Sequence, residues 1–340
     1  MKYVFIDTSV FRNKDFDVQN AELQSLRTFA EEGQLSLVCP KTTMLELAKH
    51  VGESHANIRR SAGKVNMLLK ISGRHEIDLD DLSAEALKKW NEYLAKLNVI
   101  EVGIDSVNLE EVFIDYQRGN PPFSSKKKSE FPDAFTIRAL AAWAEENNVE
   151  VSLVTSDGDF GGAVGGRLKL EESLRAFLDE ISAERDYYAQ ASEAFEELRA
   201  SIETRAAEKL SAIFYTTDFE WFGAVEDSCV DNVNVVNTYV MFASKSGCTV
   251  EFDADVDFSG TVSFARDNRV YRDSDTKDFV AVESESHNIK KSFSMSLTAE
   301  LGFLNDEAFL QSVILPRRFD FEVELGEYPY DLIRIEGIRH

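Results

Sequence analysis

The hydrophobic period of this chain changes once, and that change calls for two different folding units. Over roughly the first half, short apolar runs alternate with longer stretches whose apolar residues recur at helical spacing. Strands that are apolar on both faces, separated by amphipathic helices, imply an α/β unit with a parallel sheet sandwiched by helices. From Ser211 onward the period becomes two, as in TVEFDADVDF over Thr249–Phe258. Strands of that kind, short and separated by turn residues, predict an antiparallel, sandwich-like second domain with one wet face. Between them Leu170–Leu210 lacks Gly and Pro and is rich in Glu, Ala, Leu and Arg, so it reads as nearly continuous helix. The expected organisation is an α/β domain over residues 1–168, a connecting helix over 169–210 and a β-rich accessory domain over 211–340.

Within the first half, Lys2–Ile6, Leu35–Cys39, Val99–Val102 and Val149–Thr155 read as strands. Helices are expected at Asn20–Glu32, Thr42–Val51, Ile58–Ile71, Ala84–Leu97, Leu109–Tyr116 and Asp133–Glu146. Arg118–Lys128, RGNPPFSSKKK, reads as a loop.

Four acids sit at the ends or on the faces of these elements. Asp7 closes the first strand in FIDTS, Glu46 lies in TTMLELAKH, Asp133 in FPDAFTIRAL, and Asp157 follows the strand in VSLVTSDGDF with Asp159 two residues on. In parallel sheets functional groups collect beyond the carboxyl ends of the strands, where Asp7 and Asp157 fall. Carboxylates converging there would be reconciled by a hard divalent cation, Mg2+ or Mn2+. Each acid also has an ordinary role: Asp7 as a helix N-cap, Glu46 as a solvated helix residue, Asp133 as a first-turn acid, and Asp157-Gly158-Asp159 as a turn. The ordered set, rather than any one member, points to metal-assisted phosphodiester cleavage.

Charge and composition limit the alternatives. The net charge is -24, with -8 in residues 1–180 and -16 in 181–340. Nucleic acid would therefore be held by local basic clusters and by metal, against the global field. Lys126, Lys127 and Lys128 lead directly into Asp133 and are candidate phosphate contacts, with Arg138 and Arg118 as further cations. Phe123 and Phe131 are candidates for base stacking or for packing under the loop. The three cysteines show no CxxC spacing, which argues against a disulfide framework or zinc site, and Cys39 and Cys248 are expected to pack as small apolar groups. The five histidines lack paired ligand spacing. No apolar run approaches the ~20 residues of a membrane span, and the N-terminus lacks a secretory pattern, so a cytoplasmic protein without membrane attachment is expected. Asp253, Asp255 and Asp257 alternate with apolar residues, which on a strand gives a row along one face rather than a calcium cage.

The ordered set YVFIDTS, an acid in the helix after the second strand, KKKSEFPDAF and SLVTSDGDF resembles the PIN-domain nucleases over residues 1–165. The GNPPF and TSDGDF blocks look like a bacterial branch with long inserted helices. The resemblance implies a PIN-like fold in which Asp7, Glu46, Asp133 and Asp157 hold one or two Mg2+ or Mn2+ ions. Asp159 would be an auxiliary acid, and Glu53 a fallback for Glu46. Thr8, Ser9 and Thr155 match hydroxyl positions that orient the acids, water or substrate. The implied activity is an endoribonuclease acting on single-stranded RNA, with RNA favoured over DNA, as a toxin or defence effector. The competing reading is a non-catalytic PIN-fold scaffold regulated through the acidic β-rich domain. That domain would serve self-association, a regulatory protein partner or autoinhibition. A haloacid-dehalogenase-type phosphatase needs a second Asp two residues after the first, and position 9 is Ser.

Overall fold

A computed structural model describes residues 1–71, 78–123, 130–156, 160, 165–212, 216–217, 224–265, 270–272, 279–281, 284–305, 307–316, 322–325 and 333–336. The chain divides into two compact units, Met1–Glu180 and Ile181–His340. Among the described residues no helix is long and apolar enough to cross a membrane.

In chain order the first unit holds β1 (Lys2–Ile6), α1 (Thr8–Asn13), α2 (Ala21–Glu31), β2 (Leu35–Pro40), α3 (Lys41–Ile71), α4 (Leu79–Lys96), β3 (Ile100–Val102), α5 (Leu109–Arg118), α6 (Phe131–Asn147), β4 (Val151–Val154) and β5 (Leu168–Leu170). The five strands form one sheet in the order β3-β2-β1-β4-β5, and every pairing is parallel. All six residues of β2 and all four of β4 are buried, as expected of strands covered on both faces. On one face Phe5, Val38, Val102, Leu153 and Leu168 pack with Ile137, Leu140 and Ala144 of α6. α4 carries Trp90, whose ring meets Phe11 and Phe16 edge-on at 5.5 and 5.4 Å. The buried Tyr93 hydroxyl donates to Leu23 O on α2 at 2.9 Å.

α3 is one helix of 31 residues, where the sequence suggests two separated near Gly52. No Pro interrupts it, and a Cβ at Gly52 or Gly63 would meet nothing within 4 Å. Glycine in a helix interior lowers stability by only ~1 kcal/mol relative to Ala, too little to force a break.

The second unit continues from α7 (Leu174–Ala183), which straddles the boundary. It comprises α8 (Tyr188–Ser211), β6 (Thr216–Thr217), β7 (Ala224–Ser244), β8 (Gly247–Ala265), β9 (Val270–Arg272), β10 (Phe279–Ala281), β11 (Ser284–Leu304), β12 (Glu307–Ile314), β13 (Glu322–Leu325) and β14 (Ile333–Glu336). The expected single helix over 170–210 is thus a short strand and two helices. Here β5 joins the parallel sheet, and α8 begins only at Tyr188. The absence of Gly and Pro did not prevent those breaks, because tertiary pairing overrides propensity.

β12-β11-β8-β7 is an antiparallel sheet in which β7 and β11 run for 21 residues and β8 for 19, far longer than the short strands anticipated. Ser259 and Gly260, which resemble a turn, stay in the β8 ladder opposite Lys290 and Ile289. Val250, Phe252, Ala254, Val256 and Phe258 are buried, in one cluster with Ala191, Phe195, Ile202 and Leu210 of α8. The helix therefore covers the face that a second sheet would cover in a sandwich. On the opposite face Asp253, Asp255 and Asp257 form the expected row and accept hydrogen bonds from Ser296, Ser294 and Ser292 at 2.7, 2.5 and 2.6 Å.

Candidate functional site

The order β3-β2-β1-β4-β5 reverses direction between β1 and β4, so their carboxyl ends open a crevice at the switch point. Asp7 leaves β1 there, its backbone N–H donating to Val154 O at the end of β4 at 2.9 Å. Asp7 is also the N-cap of α1, accepting from Ser9 N on Oδ2 at 3.2 Å. The ordinary and the functional roles of this residue therefore coincide. The Ser9 hydroxyl donates to the same Oδ2, and Thr155 Oγ1 at the end of β4 does so at 3.2 Å. Ser156 N in turn donates to Ser9 Oγ at 3.2 Å. Two hydroxyls and an amide thus fix one oxygen of the carboxylate. Oδ1 has no hydrogen-bond partner among the described residues. Thr8 is buried, and its hydroxyl oxygen has no partner among the described residues.

Glu46 projects from α3, which starts immediately after β2 and is anchored by the buried stripe Thr43, Leu47 and Val51. His50, one turn on, lies 3.4 Å from Glu46 Oε1 and 3.0 Å from Glu53 Oε2. Thr43 Oγ1 and Thr136 Oγ1 approach to 3.4 Å, tying α3 to α6 beside Asp133.

Asp133 is half-buried in the first turn of α6, with Pro132 at the helix start. Its carboxyl is pushed up from 3.8 to about 7. Burial is the largest cause. A hydrogen bond with Glu130 follows, and then the negative charges of Asp7, Glu130 and Glu46. These four acids therefore share one electrostatic neighbourhood. Glu130 is the member that sequence reasoning missed. Its signal was its place three residues ahead of Asp133 in KKKSEFPDAF, which the lysine run overshadowed.

Among the described residues no three or more His, Cys, Asp or Glu side chains are grouped so as to hold a metal ion. Asp157, Asp159, Lys126, Lys127 and Lys128 lie outside the described residues. Arg138 is engaged within the domain: Nη1 is 2.8 Å from Glu111 Oε2 and Nη2 is 2.6 Å from Asp115 Oδ2. Burial opposes ionisation of Asp115, but the bonds from Asn120 and Arg138 outweigh it and hold its carboxyl below the ordinary range. Phe123 is buried and meets Phe131 at 4.9 Å and Tyr116 at 5.5 Å, so both phenylalanines pack in or against the domain's core cluster. Cys39 and Cys248 are buried, with thiols pushed up to about 12 chiefly by that burial.

A family model described as the PIN domain matches residues 4–160. These residues form a PIN domain. PIN domains are typically metal-dependent nucleases, so nucleic acid is the class of partner this domain implies. No curated protein and no solved structure matches the chain. The PIN match stops short of β5 and covers neither α8 nor the long-stranded sheet.

Proposed function

We propose that this chain is a metal-dependent endoribonuclease that cleaves single-stranded RNA by activated water. The observation that carries the reading is the mutual influence of Asp7, Glu46, Glu130 and Asp133 at the switch point of a PIN domain. An all-oxygen donor set fits a hard cation, and the Asp133 carboxyl, raised first by burial and then by the acids beside it, is one that such a cation would favour in its ionised form. Asp7, Glu46 and Asp133 would hold one or two Mg2+ or Mn2+ ions, with Asp157 and Asp159 completing the set. Bound there, the cation supplies Lewis acidity toward water and the scissile phosphate.

The chain's own groups have separate tasks. Ser9 and Thr155 hold Asp7 in one rotamer, leaving Oδ1 for ligation. Glu130, hydrogen-bonded to Asp133, holds that carboxyl in place beside Asp7 and Glu46. Lys126, Lys127 and Lys128 neutralise the substrate phosphates. The 181–340 unit, net -16, is the surface for self-association or a regulatory protein. Action in the cytoplasm as a toxin or defence effector completes the proposal.

The test incubates the full chain with labelled single-stranded RNA and DNA in Mn2+, Mg2+ or EDTA, beside an Asp7→Asn, Asp133→Asn variant. Metal-dependent cleavage of RNA, faster than of DNA and lost in the variant, is expected. Folded protein that binds RNA but leaves it intact in every metal would overturn the proposal in favour of a PIN-fold binding module.

A further inference from the structure

We propose that the solvent face of α3 is a track along which single-stranded polynucleotide runs outward from the acidic site. The proposal rests on the nuclease reading above and adds the path of its substrate. α3 is ~46 Å long, and it packs against α4 as well as the parallel sheet. Thr43, Leu47 and Val51 are buried, whereas residues from Gly52 to Arg60 are exposed or half-buried. Net charge is distributed unevenly along it. Glu46 and Glu53 lie near the site, but residues 54–71 contain Arg59, Arg60, Lys64 and Lys70 and no Asp or Glu, in a chain of net charge -24.

The helical period aligns this charge with the site. Arg60 lies 14 residues beyond Glu46, close to four whole turns, so the two share a face ~21 Å apart along the axis. Lys49 and Glu53 occupy the same face, paired with each other at 3.8 Å. α4 neutralises some of the cations but not Arg60. Asp80 takes Arg59 in an ion pair, while Glu85 and Glu92 pair with Lys89 and Lys88 of their own helix. Arg60 is exposed and has no ion-pair partner among the described residues. Farther along that face Met67 and Ile71 are 64% and 71% exposed. Large exposed apolar side chains on the same face as the unpaired Arg60 suit bases and phosphate of a single strand. An acidic protein would match the charge, but it would not account for continuity with the face that carries Glu46. A cleaved polymer must leave the site across neighbouring surface, and this face offers the cation it needs.

The deciding experiment uses the full chain and an Arg60→Glu variant, with fluorescent single-stranded RNAs of about 20 and about 5 nucleotides, lengths that bracket ordinary single-strand footprints. Binding is read by anisotropy in EDTA over a salt series and cleavage in Mn2+. The variant is expected to bind the long RNA about fivefold more weakly, with a salt slope flatter by ~0.7 for one lost phosphate contact. Its KM for the long RNA should rise with kcat unchanged, and its cleavage of the short RNA should match wild type. Equal binding and cleavage of the long RNA by both proteins would overturn the track while leaving the nuclease reading standing. Loss of long-RNA binding in the variant, in a protein that cleaves nothing, would sustain the track and refute the nuclease reading. Failure of the wild-type chain to bind either RNA at low salt would overturn the track.

Discussion

Replacing Asp133 with Asn should make the protein more stable at alkaline pH and leave it nearly unchanged in acid. The carboxyl titrates at about 7 in the folded domain, against 3.8 for the free side chain. The folded state therefore holds its proton longer than the unfolded state, and stability falls as pH rises between those values. Below about 3.8 both states are protonated and no penalty exists; above about 7 both are ionised and the whole penalty is present. Taken at face value, the difference corresponds to ~4 kcal/mol. Asp133 is only half-buried, so solvent screening reduces this to about 1–2 kcal/mol. In a unit of this size that is a rise of roughly 3–6 °C in Tm at pH 8.5, shrinking to about 1 °C at pH 4.5. Scanning calorimetry of the full chain at both values measures it. The wild-type protein should also gain more from added Mg2+ or Mn2+ at pH 8.5 than the variant, because a cation relieves the same repulsion. An Asn variant less stable than wild type by the same margin at both pH values would refute the reasoning. Asp133 would then be a structural hydrogen-bonding residue rather than a member of a mutually repelling set.

Three further outcomes follow from particular contacts. Ser9→Ala combined with Thr155→Val removes both hydroxyls from Asp7 Oδ2 and should lower metal affinity or cleavage roughly 10–100-fold, with Tm nearly unchanged; metal titration by calorimetry reads it. Arg138→Ala breaks the link to Glu111 and Asp115 and should destabilise the PIN domain by about 1 kcal/mol in thermal unfolding, without altering the KM for RNA. Gly247→Ala places a Cβ 2.3 Å from Leu301 O, a backbone atom in a paired strand, so the β7–β8 hairpin must shift. A loss of roughly 1–3 kcal/mol is expected, seen as faster hydrogen exchange across β7 and β8 with the parallel sheet unaffected.

The parallel sheet was legible because its strands are short, apolar on both faces and bounded by breakers. β1 has the limits read from the sequence, and β2, β3 and β4 differ by no more than two residues at an end. Where local signals were weak, tertiary structure decided. Gly52 looks like a helix stop but has open space around it, so α3 runs through. Leu168–Leu170 offers too few residues for a period, and it becomes a strand because β4 lends it an edge. In the second unit the alternation of acid and apolar residues gave the wet and dry faces of β8 correctly. Strand length was not legible, because Ser259-Gly260 sits in a ladder secured by β7 and β11 on either side.

Legibility at the site divides along a physical line. Asp7 could be read because its position depends only on where one strand ends. Asp133 could be read because Pro132 marks a helix start. Glu130 and Arg138 could not, since their roles depend on which element lies opposite. Glu130 precedes α6 and becomes part of the acidic neighbourhood only because α6 docks beside β1 and α3. Arg138 looks like a free cation one turn from Asp133, yet α5 presents Glu111 and Asp115 to it. The same dependence applies to Arg60. Its charge is ordinary in sequence, and it gains meaning from one continuous α3, whose helical period places it on the face of Glu46 with no ion-pair partner among the described residues. Two helices with a bend near Gly52 would have broken that alignment, so the uninterrupted run of α3 through Gly52 is the structural fact on which the substrate path depends.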